Sequence, residues 1–386
     1  MPALSSVRLA TSLFAASFGS RPGAAASAPG PVNLLGEHTG NNGGPVLAMG
    51  LERRTAVAVA PARGWTLVSS VDHIPHEVDV PDALRGDWTD YLVGVVRELE
   101  ATGAAPVGAR VAVASTVPIG AGLSSSAGLT VAAARALSQL AGRRLAPAQL
   151  VEIAYRAEHD HVGVRCGRMD HTVAAHAMRG AALLVELAAG TLTRLPFTGR
   201  LWIVESGVSR RPTGDELNQR RRECEEALAF CREWRPALAH LAQLAPGDLA
   251  EVERRLPPPL VPRVRHVVTE TARTWAAAAA LAADDLPRVG RLLVEGHESL
   301  RLDYQSSVPE ADLIVEWAME HGAYGARLSG AGWGGAVVVL APEARAARIM
   351  AEVGRQCGDR LGRVPEIWSS RAAAGVRREA LPTAVG

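Results

Sequence analysis

Three consecutive serines, Ser124, Ser125 and Ser126, close a glycine-rich stretch at residues 117–128 (VPIGAGLSSSAG). Glycines let a backbone approach a phosphate closely, and the N–H groups that open a helix favour an anion. Serine hydroxyls add donors for phosphate oxygens or a ligand for Mg²⁺. The stretch lacks the Gly-Lys-Ser/Thr ending of a Walker A loop, so it would hold phosphate in a different way. A glycine-rich turn before a serine-capped helix reads identically, and this segment alone leaves both open. Two further glycine-rich stretches lie far from it, residues 28–44 (APGPVNLLGEHTGNNGG) and 325–335 (GARLSGAGWGG).

The elements around these loops follow from periodicity. Residues 110–116 read as a strand running into the serine loop, and 129–140 as the helix that follows. Strands are expected at 32–35, 46–60, 181–186, 201–205 and 336–340. Helices are expected at 90–100, 147–161, 215–234 and 311–321, with helical patterns continuing to about residue 291. Strands and helices mix in both halves without regular βαβ alternation, which predicts an α+β fold. The chain of 386 residues is long enough for two domains. The break is expected near 187–200, giving domains 1–190 and 191–386. The segment after about residue 377 reads as a frayed tail.

Composition narrows the partners. The formal net charge is +1, which gives no reason to expect nucleic acid or an anionic membrane. All 41 Lys/Arg-type residues are arginines, so any phosphate must be held by arginine, Mg²⁺ or backbone N–H groups. Cys166, Cys224, Cys231 and Cys357 show no metal-ligand spacing and read as buried free thiols of a reducing compartment. Residues 8–17 imitate a secretory h-region but are short and contain Ser and Thr, so a short amphipathic helix is expected instead. With no membrane span, the protein is expected to be cytoplasmic.

The three glycine stretches in this order, with Met169-Asp170 between the second and third, resemble the GHMP kinases. Residues 28–44 resemble the galactokinase signature specifically, as do 87–94 (DWTDYLVG), 157–170 (AEHDHVGVRCGRMD), 220–227 (RRRECEEA) and 299–310 (SLRLDYQSSVPE). The resemblance spans about residues 14–377. It implies a two-domain fold with mixed and antiparallel sheets and the active site in the cleft between the domains. It also implies ATP, with GTP as an alternative donor, and Mg²⁺. Asp170 matches the catalytic aspartate that accepts or orients the proton of the attacking sugar hydroxyl. Ser126 and Glu158 match the Mg²⁺ ligand positions. Gly120, Gly122, Leu123, Ser124, Ser125, Ser126, Ala127, Gly330 and Gly332 match the nucleotide loops, and Trp88 the adenine pocket. Glu37, His38, Gly40, Asn41, Gly167, Arg168 and Leu217 match the sugar side.

The chain departs from galactokinases at that sugar side. Pro31 stands where they usually have arginine, Gly40 where they have aspartate, and Leu217 where they have tyrosine. Losing a carboxylate and a phenol removes polar contacts that discriminate among sugars, and it leaves space. Arg165, Arg168, Arg210 and Arg211 could meet a substrate phosphate, and Arg168 could replace the missing arginine electrostatically. The reading is a sugar 1-kinase for a higher-carbon or already phosphorylated sugar of a specialised pathway. A relative of that type is the octose 1-kinase of lincosamide antibiotic assembly. The alternatives are a simple-sugar 1-kinase, galactokinase included, and a non-catalytic sugar sensor. The substrate partners are a sugar or sugar phosphate and a nucleoside triphosphate; the sequence leaves the oligomeric state open. A Ser/His/Asp hydrolase is excluded by the lack of a G-x-S-x-G elbow.

Overall fold

A computed structural model describes residues 5–80, 84–208 and 215–381. The chain begins with helix α1 (Ser6–Phe18), followed by strands β1 (Ala24–Leu35), β2 (Val46–Pro61), β3 (Trp65–Ser69) and β4 (His76–Val78). Next come α2 (Thr89–Ala101), β5 (Ala109–Ser115), α3 (Ser125–Leu140), α4 (Pro147–Arg156) and α5 (Met169–His176). The strands β6 (Ala181–Glu186), β7 (Thr191–Pro196) and β8 (Leu201–Glu205) precede the helices α6 (Asp215–Trp234), α7 (Leu249–Arg255), α8 (Val261–Ala282), α9 (Leu286–Ser299) and α10 (Pro309–Glu320). The chain closes with β9 (Gly325–Ser329), β10 (Ala336–Leu340), α11 (Glu343–Leu361), β11 (Ile367–Ser370) and β12 (Arg377–Arg378).

Two sheets result. The larger runs β12-β1-β2-β5-β3-β4, with β6 also on β2 and β7 on β6; the smaller runs β11-β8-β10-β9. The β3–β5 pair is parallel, and the other pairings are antiparallel. Alternation along the strands sets the layers. Val57, Val59, Val111 and Val113 face the helices α2, α3 and α4, while Ala56, Ala58, Ala112 and Ala114 face α1. The small side chains let α1 lie close, with Phe14 fully buried against them. Ser5 caps α1 through a bond from the Arg8 N–H, and Gly19 in the left-handed region ends it. The segment that imitates a leader is therefore part of the core.

A second core belongs to the smaller sheet and its helices, where Cys224, Ala227 and Cys231 form one buried face of α6. A third cluster joins the two sheets, bringing Leu34 and Met49 together with Ile203, Val338 and Leu293. Strand β7 pairs with β6 throughout Thr191–Pro196, so a division at 190/191 would cut this hairpin. The expected frayed tail is a correction. Arg377 and Arg378 pair with β1, and Arg54 donates to the carbonyls of Ala374 and Gly375 at 2.6 and 2.7 Å. The segment at 374–378 thereby returns to the first sheet, held by a charge-assisted clamp. The expected helix at 147–161 changes at residue 157 into a wide π-type turn, Ala157–His161.

Candidate active site

The second and third glycine stretches, about 200 residues apart in the chain, lie face to face. Gly330 has φ +88° and a Cβ there would stand 2.8 Å from the Gly122 carbonyl oxygen. A Cβ on Gly335, φ +100°, would stand 3.0 Å from the carbonyl of Ala121. Only glycine permits both the backbone conformation and the approach. On its far side the third loop is held by the Trp333 N–H to Ser306 carbonyl bond at 2.7 Å and the Gly335 N–H to Val208 bond at 3.0 Å. The serine loop runs directly into α3. Ser124 takes φ +44° and starts the helix at Ser125, four residues earlier than the periodicity predicts. The first N–H groups of α3 therefore open beside the two glycine loops. Gly120, Leu123, Ala127 and Gly332 belong to these same two segments.

A hydrogen-bonded chain leads from this loop to α5. The Ser126 hydroxyl donates to Glu158 Oε1 at 2.8 Å, and Glu158 Oε2 meets His171 Nε2 at 3.0 Å. Glu158 is 5 % exposed and His171 1 %. Glu158 is thus no solvated helix charge; the wide turn carries it inward from the end of α4. Asp170 immediately precedes His171 in the first turn of α5 and is half-buried. Cys166 lies in the loop between Glu158 and Asp170. Burial, then the carboxylates of Glu158 and Asp170, push its thiol up to about 12. Cys166 is half-buried rather than buried, which corrects the expectation for this cysteine.

Glu37 is committed elsewhere than expected. It lies with Glu270 on either side of the fully buried Arg327, with Arg327 Nη2 to Glu37 Oε2 at 2.5 Å and Nη1 to Glu270 Oε1 at 2.7 Å. Its other oxygen accepts from the Gly330 N–H at 3.2 Å. Burial pushes Glu37 up to about 7, against the pull of Arg327. Glu270 is held well below the usual carboxylate range by Arg327 and Arg273, against its own burial. It also accepts from the Gly36 N–H at 2.8 Å. These contacts fasten the first glycine stretch to the third, so Glu37 positions backbone, a correction to the direct sugar contact expected of it. His38, at φ +64°, stacks on Tyr304 with ring centroids 4.0 Å apart and lies edge-on to Trp333. Its backbone carbonyl accepts from Asn42 at 2.8 Å.

On the sugar side, Asn41 Oδ1 stands 3.6 Å from where a Gly167 Cβ would lie, so these two predicted residues adjoin. The Arg221 guanidinium donates to the Arg165 carbonyl at 2.6 Å, laying α6 against the 162–168 loop. Leu217 is half-buried one turn earlier on α6. Gly40 lies outside the left-handed region, and a Cβ there would make ordinary contact with Val46 at 3.5 Å. Pro31 is buried in β1 opposite Gly50. Arg168 is a correction. Its guanidinium bonds Glu152 at 3.1 Å and covers the Tyr155 ring at 4.1 Å, so its charge is spent on α4. Arg210 and Arg211 lie outside the described residues. Trp88 donates to Asp72 at 2.9 Å and packs at the edge of the first core.

Sequence reasoning missed Arg327, Glu270, Tyr304, Cys166 and His171. Arg327 carried one signal, a lone charge in an apolar strand beside a glycine loop. Tyr304 carried one only through its place in the 299–310 stretch, and Glu270 carried none, because only folding brings α8 to β1.

Two sheets joined at facing glycine loops, with a half-buried hydroxyl on a buried carboxylate beside a helix that begins Met-Asp, are the arrangement of a small-molecule kinase. The profile of the GHMP kinases N terminal domain matches residues 90–178, and that of the GHMP kinases C terminal domain matches 277–359. The chain belongs to the GHMP kinases. The galactokinase galactose-binding signature matches residues 12–61. The galactokinase of Chloroflexus aggregans is 41 % identical over 368 residues, covering 93 % of this chain and 94 % of that one. The galactokinase of Bos taurus is 38 % identical over 363 residues, covering 89 % and 90 %. The structure of Lactococcus lactis galactokinase complexed with galactose superposes with a TM-score of 0.89 at 26 % identity, covering 96 % of this chain and 99 % of that one. Within the family this is the galactokinase-like branch, and the chain is a sugar kinase, a phosphotransferase with an alcohol group as acceptor. Among the described residues no helix is long and apolar enough to cross a membrane.

Proposed function

We propose that the chain phosphorylates the anomeric hydroxyl of a sugar with ATP, giving a sugar 1-phosphate, and that Asp170 takes or orients the hydroxyl proton. The observation that supports this most is the convergence of the two glycine loops with the Ser126–Glu158–His171 chain, which ends one residue from Asp170. Backbone N–H groups of the serine loop and the start of α3 bind the phosphates, in a chain that has no lysine for the task. Asp170 lies in the first turn of α5, an end of a helix that favours a carboxylate. A hydroxyl and a buried carboxylate at 2.8 Å are donors a hard cation accepts, so Ser126 and Glu158 would hold Mg²⁺. Bound there, Mg²⁺ supplies neutralisation of phosphate charge.

For the acceptor, we propose a sugar longer than a hexose or already phosphorylated. Gly40 leaves room where a carboxylate would fit, Leu217 presents no hydroxyl, and Pro31 presents no donor. A specialised biosynthetic route is the setting such an acceptor implies. Galactose itself is the second reading, favoured by the match to the galactose-binding signature. The test is a phosphoryl-transfer screen with Mg²⁺ and ATP or GTP over galactose, other free sugars, and heptose and octose phosphates. Asp170→Asn is the blank. Turnover confined to long or phosphorylated sugars supports the first reading, and robust galactose turnover the second. No transfer to any sugar, with sugar binding retained, would make the protein a sensor.

A further inference from the structure

We propose that Glu158, Cys166 and His171 form a binding site for a borderline-soft divalent cation, of which Zn²⁺ is the best chemical match. One ligand atom from each of the three lies within 4.8 Å of the others. Glu158 and His171 are buried, and Cys166 is half-buried on the intervening loop. Tetrahedral zinc holds sulfur at about 2.3 Å and nitrogen or oxygen at about 2.0–2.2 Å, which puts neighbouring ligands about 3.3–3.7 Å apart. The three side chains therefore need to close by about an ångström, a rotamer adjustment in a loop and two helix ends. The 3.0 Å contact of His171 Nε2 with Glu158 Oε2 is a hydrogen bond, which a cation would replace. Thiolate, carboxylate and neutral imidazole together balance a charge of +2. Binding releases the thiol proton to solvent.

The donor set chooses the metal. Mg²⁺ takes oxygen ligands and keeps its waters, whereas sulfur and imidazole favour zinc and its neighbours. The Ser126 hydroxyl, 2.8 Å from Glu158, supports the carboxylate from behind. This inference deepens the kinase reading by naming a second cation that shares Glu158 with Mg²⁺, and it rests on Glu158 being a metal ligand.

Co²⁺ is the probe, because its tetrahedral thiolate complexes absorb strongly and need no turnover to be read. The full-length protein, reduced and metal-free, is titrated with Co²⁺ under anaerobic conditions. The expected result is a near-ultraviolet thiolate charge-transfer band with the intense visible bands of a four-coordinate site, displaced stoichiometrically by Zn²⁺. Cys166→Ser removes the charge-transfer band, and His171→Gln weakens Co²⁺ affinity by about 10–100-fold or more. Circular dichroism and thermal melts check that both variants fold. A wild-type spectrum with only the weak bands of hydrated cobalt overturns the proposal without any variant, and so does a band that survives Cys166→Ser. A separate Mg²⁺-ATP assay keeps the readings distinct: an absent cobalt band refutes the metal site whatever the turnover, and absent turnover refutes only the kinase reading.

Discussion

Gly330→Ala is the substitution that most directly tests the joining of the two glycine loops. At φ +88° an alanine pays about 1–3 kcal/mol of backbone strain. Its Cβ would also stand 2.8 Å from the Gly122 carbonyl oxygen, a backbone atom with no rotamer to escape into. Parting the loops by the several tenths of an ångström needed costs a further ~1–3 kcal/mol, as overpacking does in a core. The sum is about 2–6 kcal/mol. Unfolding entropy for 386 residues is about 0.8 kcal/mol/K, so the melting temperature falls by roughly 2–7 °C. Displacing the loops also displaces the phosphates, and an error approaching 1 Å costs on the order of 100-fold in kcat/KM. Two controls divide the terms. Gly120→Ala, φ +78° with nothing within 4 Å, pays strain alone, and Gly40→Ala, in open contact outside the left-handed region, pays almost nothing. Differential scanning fluorimetry and ATP-dependent kinetics measure both effects. If Gly330→Ala melts no lower than Gly120→Ala and keeps the wild-type KM for ATP, the loops do not touch and the reasoning fails.

Asp170→Asn should lower kcat by at least 100-fold, the contribution of a positioned base, on the order of 10²–10⁴, while nucleotide binding measured by calorimetry is unchanged. Gly40→Asp with Leu217→Tyr should raise the galactose share of turnover in a competition assay, and no gain would remove the argument from pocket size. Arg327→Met strands Glu37 and Glu270 in the interior, costing about 3–5 kcal/mol in a denaturant titration. The pH dependence has two opposed parts. Glu37, raised from 4.5 to about 7, holds its proton more tightly when folded, so stability falls as pH rises from about 4.5 to 7. His266, lowered from 6.5 to about 4 by burial, does the reverse, so stability rises from about pH 4 to 6.5. Glu37→Gln should therefore expose the His266 slope and make acid destabilisation steeper; an unchanged slope in denaturant titrations across that range would contradict the assignment.

Local chemistry alone determined much of this protein. The strand before the serine loop, the helix after it and the charged 215–234 helix follow from apolar spacing within each segment. The glycine stretches announce themselves by composition, because glycine is the residue that most readily takes positive φ and lets backbones approach closely. Tertiary structure decided what each charge does. Glu37 and Arg168 looked like substrate contacts, yet Arg327 claims the first and Glu152 with Tyr155 claims the second. Those partners lie 290 and 16 residues away in sequence, and a carboxylate or guanidinium has no local preference that names its counter-charge. Glu158 is buried because a wide turn at the end of α4 carries it inward, which no periodicity along the helix foretells. The return of Arg377–Arg378 to β1 was equally invisible, since a two-residue strand has no period to detect. Spacing along the chain fixes periodic elements and special backbone angles; pairing of charges and docking of short segments depend on distances that exist only after the sheets have closed on one another.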